Sequence, residues 1–118
     1  MNRFAADEIA PVIDLDALKA RCLGNLELVD RVLAKFTGQV DADLDELDQA
    51  IHDRNPAKAA QLAHRIKGSA GSVEALQLYA DASRAEQRAL ENCLAELPGE
   101  LERLRSDRST LLETLENI

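Results

Sequence analysis

Between Leu26 and His52 the apolar residues Val29, Leu33, Phe36, Val40, Leu44, Leu47 and Ile51 follow one another at intervals of four, three, four, four, three and four. Only an α-helix brings residues so spaced onto one face, since a strand would alternate every second residue. Asp30, Gln39, Asp41, Asp45, Glu46 and Gln49 fall on the opposite face, so the helix has one dry stripe and one wet one. A stripe of that length must be covered, and the rest of the chain has to provide the cover. With 118 residues, 46% of them hydrophobic and only 3% aromatic, and with Leu, Ala, Glu, Asp and Arg recurring, that cover is helical rather than sheet.

The remaining segments fit this frame. Residues 1–12 have no clear period and are expected to form a flexible arm ahead of a domain over residues 13–118. Asp14 is placed to cap a short helix carrying Leu15, Leu18 and Cys22, which Gly24 ends, and Asn25 caps the long helix. Asp53, Arg54, Asn55 and Pro56 form a break, and Pro56 suits the first turn of a third helix. A fourth helix is expected from about Ala75 to about Ala95, with Ala75, Tyr79, Ala82, Ala85, Ala89, Cys93 and Leu97 inside, and Glu86 close to the middle of that stripe. Pro98 and Gly99 punctuate the chain before a final helix of about Gly99 to Asn117, whose stripe of Leu101, Leu104, Leu111, Leu115 and Ile118 is interrupted by Arg108. Short breaks imply antiparallel neighbours, so the predicted fold is all-α: an antiparallel up-down four-helix bundle with a short extra N-terminal helix.

Charge and composition exclude several functions. A net charge of −8 argues against binding nucleic acid or anionic lipid. No apolar run is long enough to span a membrane, and Asp7 and Glu8 interrupt the place a signal peptide would need, so a cytoplasmic protein is expected. Cys22 and Cys93 lie far apart, in no metal or redox pattern, and are expected to be small buried hydrophobes. His52 and His64 fall in different helices with no cysteine near either, so no metal site is expected. The single apolar stripes give no sign of a second buried face, and a monomer is expected.

One stretch breaks the rules of an ordinary helix. Ala63 to Ser72, AHRIKGSAGS, places two glycines inside the third helix, where each costs about 1 kcal/mol relative to alanine. On a helical projection Ala59, Leu62, Ile66, Ala70 and Val73 cluster on one side, and His64 lies about 160° from their centre. Ala57, Ala60, Gly68 and Gly71 fall on the outward side with it, all without bulk. Over residues 54–73, Arg54, Lys58, Arg65 and Lys67 give a positive charge that no acidic residue within that span offsets. The expectation is an exposed imidazole on a cleared strip in a positive field.

Few chemistries fit that arrangement. A Ser/His/Asp or Cys/His relay would need a nearby nucleophile in a pocket, and neither cysteine falls in the same segment; the glycines lie within a helix rather than in a phosphate-binding loop ahead of one. A neutral imidazole is itself a nucleophile towards phosphorus and forms a phosphohistidine that can later give up its phosphoryl group. Such transfer consists largely of positioning and charge neutralisation. It requires a ring nitrogen that another protein's active site can approach, which explains the missing side chains around His64. Lys67 could steady phosphoryl oxygens, and a carboxylate on the other ring nitrogen could fix the tautomer.

At these residues the sequence resembles the histidine-containing phosphotransfer (Hpt) domain of bacterial phosphorelays and hybrid sensor kinases. The family's pattern of a histidine, two residues, then Lys-Gly and a small residue is met by His64, Lys67, Gly68 and Ser69, with Ala63 before and Ala70 after. Relatives carry Glu or Gln twenty-two residues beyond the histidine, where this chain has Glu86, and the resemblance implies that Glu86 hydrogen-bonds the imidazole. Relatives usually have glycine ten residues beyond it, where this chain has Glu74, which leaves the end of the third helix open.

The resemblance implies a phosphorelay intermediate that is not an enzyme with kinase activity of its own. His64 would accept a phosphoryl group from the aspartyl phosphate of a response-regulator receiver domain and pass it to another, with a hybrid sensor histidine kinase as a further partner. Lys67 and Glu86 would assist, Ala60, Arg65, Gly68 and Gly71 would form the docking strip, and the receiver would bring Mg²⁺, so that this chain needs no cofactor. Two alternatives stand beside this: a helical adaptor that binds a receiver-like partner through the same face without being phosphorylated, and a domain charged directly by a kinase, like the phosphorylated domain of chemotaxis kinases.

Overall fold

The structure, a computed structural model, describes residues 11–117. Residues 1–10 of the expected arm, and Ile118, lie outside the described residues. Among the described residues five α-helices follow in order: α1 (Leu15–Arg21), α2 (Leu26–His52), α3 (Pro56–Ser72), α4 (Leu76–Leu90) and α5 (Leu97–Glu116), with a 3₁₀ turn at Leu94–Glu96 before the last. Three starts are fixed by side-chain caps: Asp14 and Asn25, as expected, and Asn55, expected only as part of the break, accept hydrogen bonds from the backbone N–H of Ala17, Leu28 and Lys58, each at 3.1 Å.

The four long helices form the antiparallel bundle that the apolar pattern predicts. α3 packs between α2 and α4, and α5 packs against both of those as well, which closes the ring. Val40, Leu44 and Leu47 of α2, Leu62 and Ile66 of α3, Leu78 of α4, and Leu97, Leu104 and Leu111 of α5 form the fully buried centre. The α3/α4 pair is the most extensive in the bundle. It is lined with alanine: Ala59, Ala60, Ala63 and Ala70 on one side and Ala82, Ala85 and Ala89 on the other are all buried.

α1 lies outside the ring and is fastened to the α3–α4 turn. The Asp14 N–H donates to the Glu74 carbonyl at 2.9 Å, the Arg21 Nε donates to the Glu74 carboxylate at 2.9 Å, and the Gln77 N–H donates to the Pro11 carbonyl at 3.0 Å. Glu74 occupies the glycine position of the Hpt pattern and adopts the conformation that position calls for, with φ +61°. Its two contacts to α1 hold a backbone geometry that a non-glycine residue disfavours. α3 therefore ends at Ser72.

The second half of the chain departs from expectation in three ways. α4 stops at Leu90 rather than near Ala95, because Asn92 takes a left-handed conformation (φ +60°) and the Cys93 N–H turns back to the Arg88 carbonyl at 2.8 Å. Asparagine tolerates that conformation better than most residues. Pro98 does not separate two helices but sits in the first turn of α5, where its missing N–H is not needed. Tyr79, expected in the core, is 44% exposed, and its neighbour Leu78 takes the buried place. Cys22 is buried as expected, whereas Cys93 is only half-buried at the end of the turn.

Among the described residues, four carboxyl groups are buried that periodicity had assigned no role: Asp43 on α2, Asp81 on α4, and Glu100 and Asp107 on α5. Arg84 pairs with Asp81 and reaches Glu100 at 3.5 Å. Asp107, buried beside Asp81, has its pKa raised to about 8 by the loss of water and by the neighbouring carboxyl group. Arg108, which interrupts the α5 stripe, pairs with Asp41 across the α2/α5 groove. No helix among the described residues is long and apolar enough to cross a membrane.

Candidate functional site

His64 stands on the outer ridge of α3, midway along the bundle, with its side chain 68% exposed. Its Nδ1 lies 2.9 Å from Glu86 Oε2, and Lys67 Nζ lies 2.7 Å from Glu86 Oε1, so one carboxylate on α4 holds two residues of α3. On isolated helical projections Glu86 looks inward and His64 outward. They meet because α3 and α4 lie side by side and the Glu86 side chain, largely covered, runs along the seam between them.

The electrostatics of this trio fix its protonation pattern. The hydrogen bond from Lys67, followed by that from His64, lowers the Glu86 pKa below the usual carboxylate range, against the opposing effect of burial. The same contact with Glu86 raises the Lys67 pKa. Glu86 is thus an ionised acceptor that has no proton to donate, and the proton in the 2.9 Å contact belongs to His64 Nδ1. In the neutral ring that leaves the Nε2 lone pair free and facing solvent.

The glycines differ from one another. A β-carbon added at Gly68 would meet nothing within 4 Å, so this position is open. One added at Gly71 would lie 3.4 Å from the ring of Tyr79, in ordinary contact, so this position is flanked by an aromatic side chain of α4 and is less open than Gly68. Ala60 is also not on the outward strip: it is 7% exposed, because α4 covers that flank of α3.

The expected positive field is largely cancelled. Lys67 is paired with Glu86, and Arg65 is turned towards α2, where its Nε and Nη2 donate to Asp43 Oδ1 at 3.0 and 2.8 Å and Nη2 donates to Glu46 Oε2 at 2.6 Å. The acidic residues responsible come from neighbouring helices and are invisible within the segment itself. Tyr79 and Asp43 are the residues at this site that sequence reasoning missed. The tyrosine's spacing imitates a core position, and the aspartate's partner lies on another helix.

The sequence matches the family model of the Hpt domain over residues 31–117. The chain belongs to the Hpt family. The match spans α3 and α4 entire, with His64, Lys67, Gly68 and Glu86 inside it. Among solved structures, the crystal structure of histidine-containing phosphotransfer protein B (HptB) from Pseudomonas aeruginosa PAO1 superposes with a TM-score of 0.84 at 18% identity, covering 92% of this chain and 94% of that one. At that identity the likeness establishes a shared fold. Comparison with curated proteins yields no match. Histidine phosphotransfer within phosphorelays is the activity of the Hpt family, whose members are carriers rather than kinases.

Proposed function

We propose that this Hpt domain is a phosphorelay intermediate in which His64 takes a phosphoryl group from the aspartyl phosphate of one receiver domain and hands it to the aspartate of another. The observation that carries the reading is the 2.9 Å contact between Nδ1 of an exposed His64 and an ionised Glu86. With Nδ1 holding the proton, the Nε2 lone pair attacks phosphorus, the N–P bond forms as the P–O bond to the aspartate breaks, and the aspartate leaves as a carboxylate. Onward transfer is the same step reversed on a second receiver.

Glu86 counters the positive charge that the ring acquires during attack. Lys67, one turn from the histidine, shares its charge between Glu86 and the arriving phosphoryl oxygens. The open position at Gly68 admits the receiver's loops, and an apolar groove of about 290 Å³ between α2 and α3, lined by Val32, Phe36, Ser69 and Val73, offers adjoining surface. The receiver supplies Mg²⁺ and most of the stabilisation of the phosphoryl group. No nucleotide is needed on this chain.

Incubating the purified protein with a phosphorylated receiver domain and following the label tests the reading. Acid-labile, alkali-stable label on the wild type and none on His64→Gln is the expected result. Label retained by His64→Gln, or none on the wild type with receiver binding intact, overturns it, the latter in favour of an adaptor.

A further inference from the structure

The reaction above uses His64, Lys67 and Glu86 and leaves one deeply buried charge without a purpose. Asp43 is 0% exposed, deeper than any other carboxyl group among the described residues. Its Oδ1 accepts hydrogen bonds from Arg65 Nε at 3.0 Å, Arg65 Nη2 at 2.8 Å and Gln39 Nε2 at 3.1 Å, while its Oδ2 is buried with no hydrogen-bond partner among the described residues. Glu46 takes a further bond from Arg65 Nη2.

As a device for stability this is poor. A buried carboxylate with an unsatisfied oxygen is unfavourable, and its partner Arg65 is half exposed, so that water weakens the attraction the pair offers in return. What the pair adds is geometry. A planar guanidinium donating through two nitrogens to one fixed oxygen is held in direction as well as in distance.

The residue held in this way is the chain neighbour of His64. α3 is gripped on its α2 flank through Arg65 and on its α4 flank through His64 and Lys67. Gripped on one flank alone, a helix can roll about its axis. At a helix's outer radius of 5–6 Å, a roll of about 10° carries a side chain about 1 Å, and a misplacement of about 1 Å can cost about 100-fold in rate.

We propose that Asp43 and Arg65 are positioning residues for phosphoryl transfer, fixing the roll of α3 against α2 so that His64 Nδ1 stays on Glu86 and Nε2 faces the incoming phosphorus. This rests on the phosphotransfer reading, but its first consequence, the setting of the imidazole, belongs to the isolated chain.

The test compares the wild type with the double variant Asp43→Leu/Arg65→Leu and with Arg65→Lys. In the double variant the melting temperature is expected to hold or rise. The transfer rate at saturating receiver falls about tenfold, the receiver concentration giving half that rate is unchanged, and the ¹⁵N spectrum of His64 shifts from one dominant tautomer towards a mixture. Arg65→Lys, which keeps the charge and one contact, recovers part of the rate. A wild-type rate and tautomer in the double variant overturn the proposal. So does a raised half-saturating concentration at an unchanged maximal rate, which would make Arg65 a docking residue, and so does a loss of rate that merely follows a loss of melting temperature. Failure of the phosphotransfer reading would show instead in the wild type, as absence of label, while the tautomer comparison still decides whether Asp43 and Arg65 set the ring.

Discussion

At Gly68 the missing side chain serves something outside the molecule. Beyond the backbone of its own helix, no atom among the described residues lies within 4 Å of where its β-carbon would be, and the position is one turn from His64 on the exposed side. Gly68→Gln therefore meets no internal obstacle and, as a better helix former, should leave the melting temperature unchanged or raise it slightly. It should nevertheless slow transfer from a phosphorylated receiver by about tenfold or more, since a displacement of about 1 Å at the reacting atoms is enough for that. Parallel melting curves and transfer rates check it, and an unchanged rate would show that the open position is irrelevant. The sequence made His64, Lys67 and Gly68 legible because each breaks the pattern of its own helix. It could not separate Gly68 from Gly71, which is flanked by Tyr79, nor place Ala60, because those facts depend on which flank α4 covers.

At the scale of elements, the junctions carry the strain. Leu23, Arg54, Glu74 and Asn92 all have positive φ, one at each break between helices. Leu23 has the least compensation: it is 94% exposed with φ +55°, so its side chain gains almost nothing from packing. Leu23→Gly should relieve the left-handed penalty and stabilise the fold by about 1 kcal/mol, seen as a rise of several degrees in melting temperature. Asn92→Gly should gain less, since asparagine already tolerates that conformation; a larger gain at Asn92 than at Leu23 would contradict the argument. The starts of α1 and α2 could be read from the caps Asp14 and Asn25, and that of α3 from Pro56, because these signals are local. The end of α4 could not. Ala89, Cys93 and Leu97 keep a helical spacing across a turn that only Asn92 marks, while the conspicuous Pro98 sits comfortably inside α5.

For the whole molecule, stability and pH are linked through the buried carboxyl groups between α4 and α5. The folded protein keeps a proton on Asp107 up to about pH 8, whereas the unfolded chain has released it near pH 4. The folded state thus binds more protons across that interval, so stability falls as pH rises from about 4 to about 8, by at most about 1.4 kcal/mol per pH unit, and levels off above it. Asp107→Asn should flatten the profile and be the more stable protein at pH 8, as read from urea midpoints at several pH values; a flat wild-type profile would refute this. Glu86 titrates in the opposite sense: its lowered pKa contributes stability that is lost only as pH falls below the ordinary carboxylate range, so the two effects occupy separate windows. The bundle itself was legible from apolar spacing, but the buried acids were not, since a polar residue in a periodic pattern reads as outward until its partner on another helix is known. The alanine lining between α3 and α4 has a consequence of another kind. Helices in contact through such small side chains approach closely, and the width of that gap sets the span Glu86 must bridge to both His64 and Lys67. A single methyl group added at Ala63 or Ala85 would wedge the helices apart where the carboxylate has little length to spare. The chain's freedom to drift in residue size is thus narrowest at alanines that take no part in the chemistry themselves.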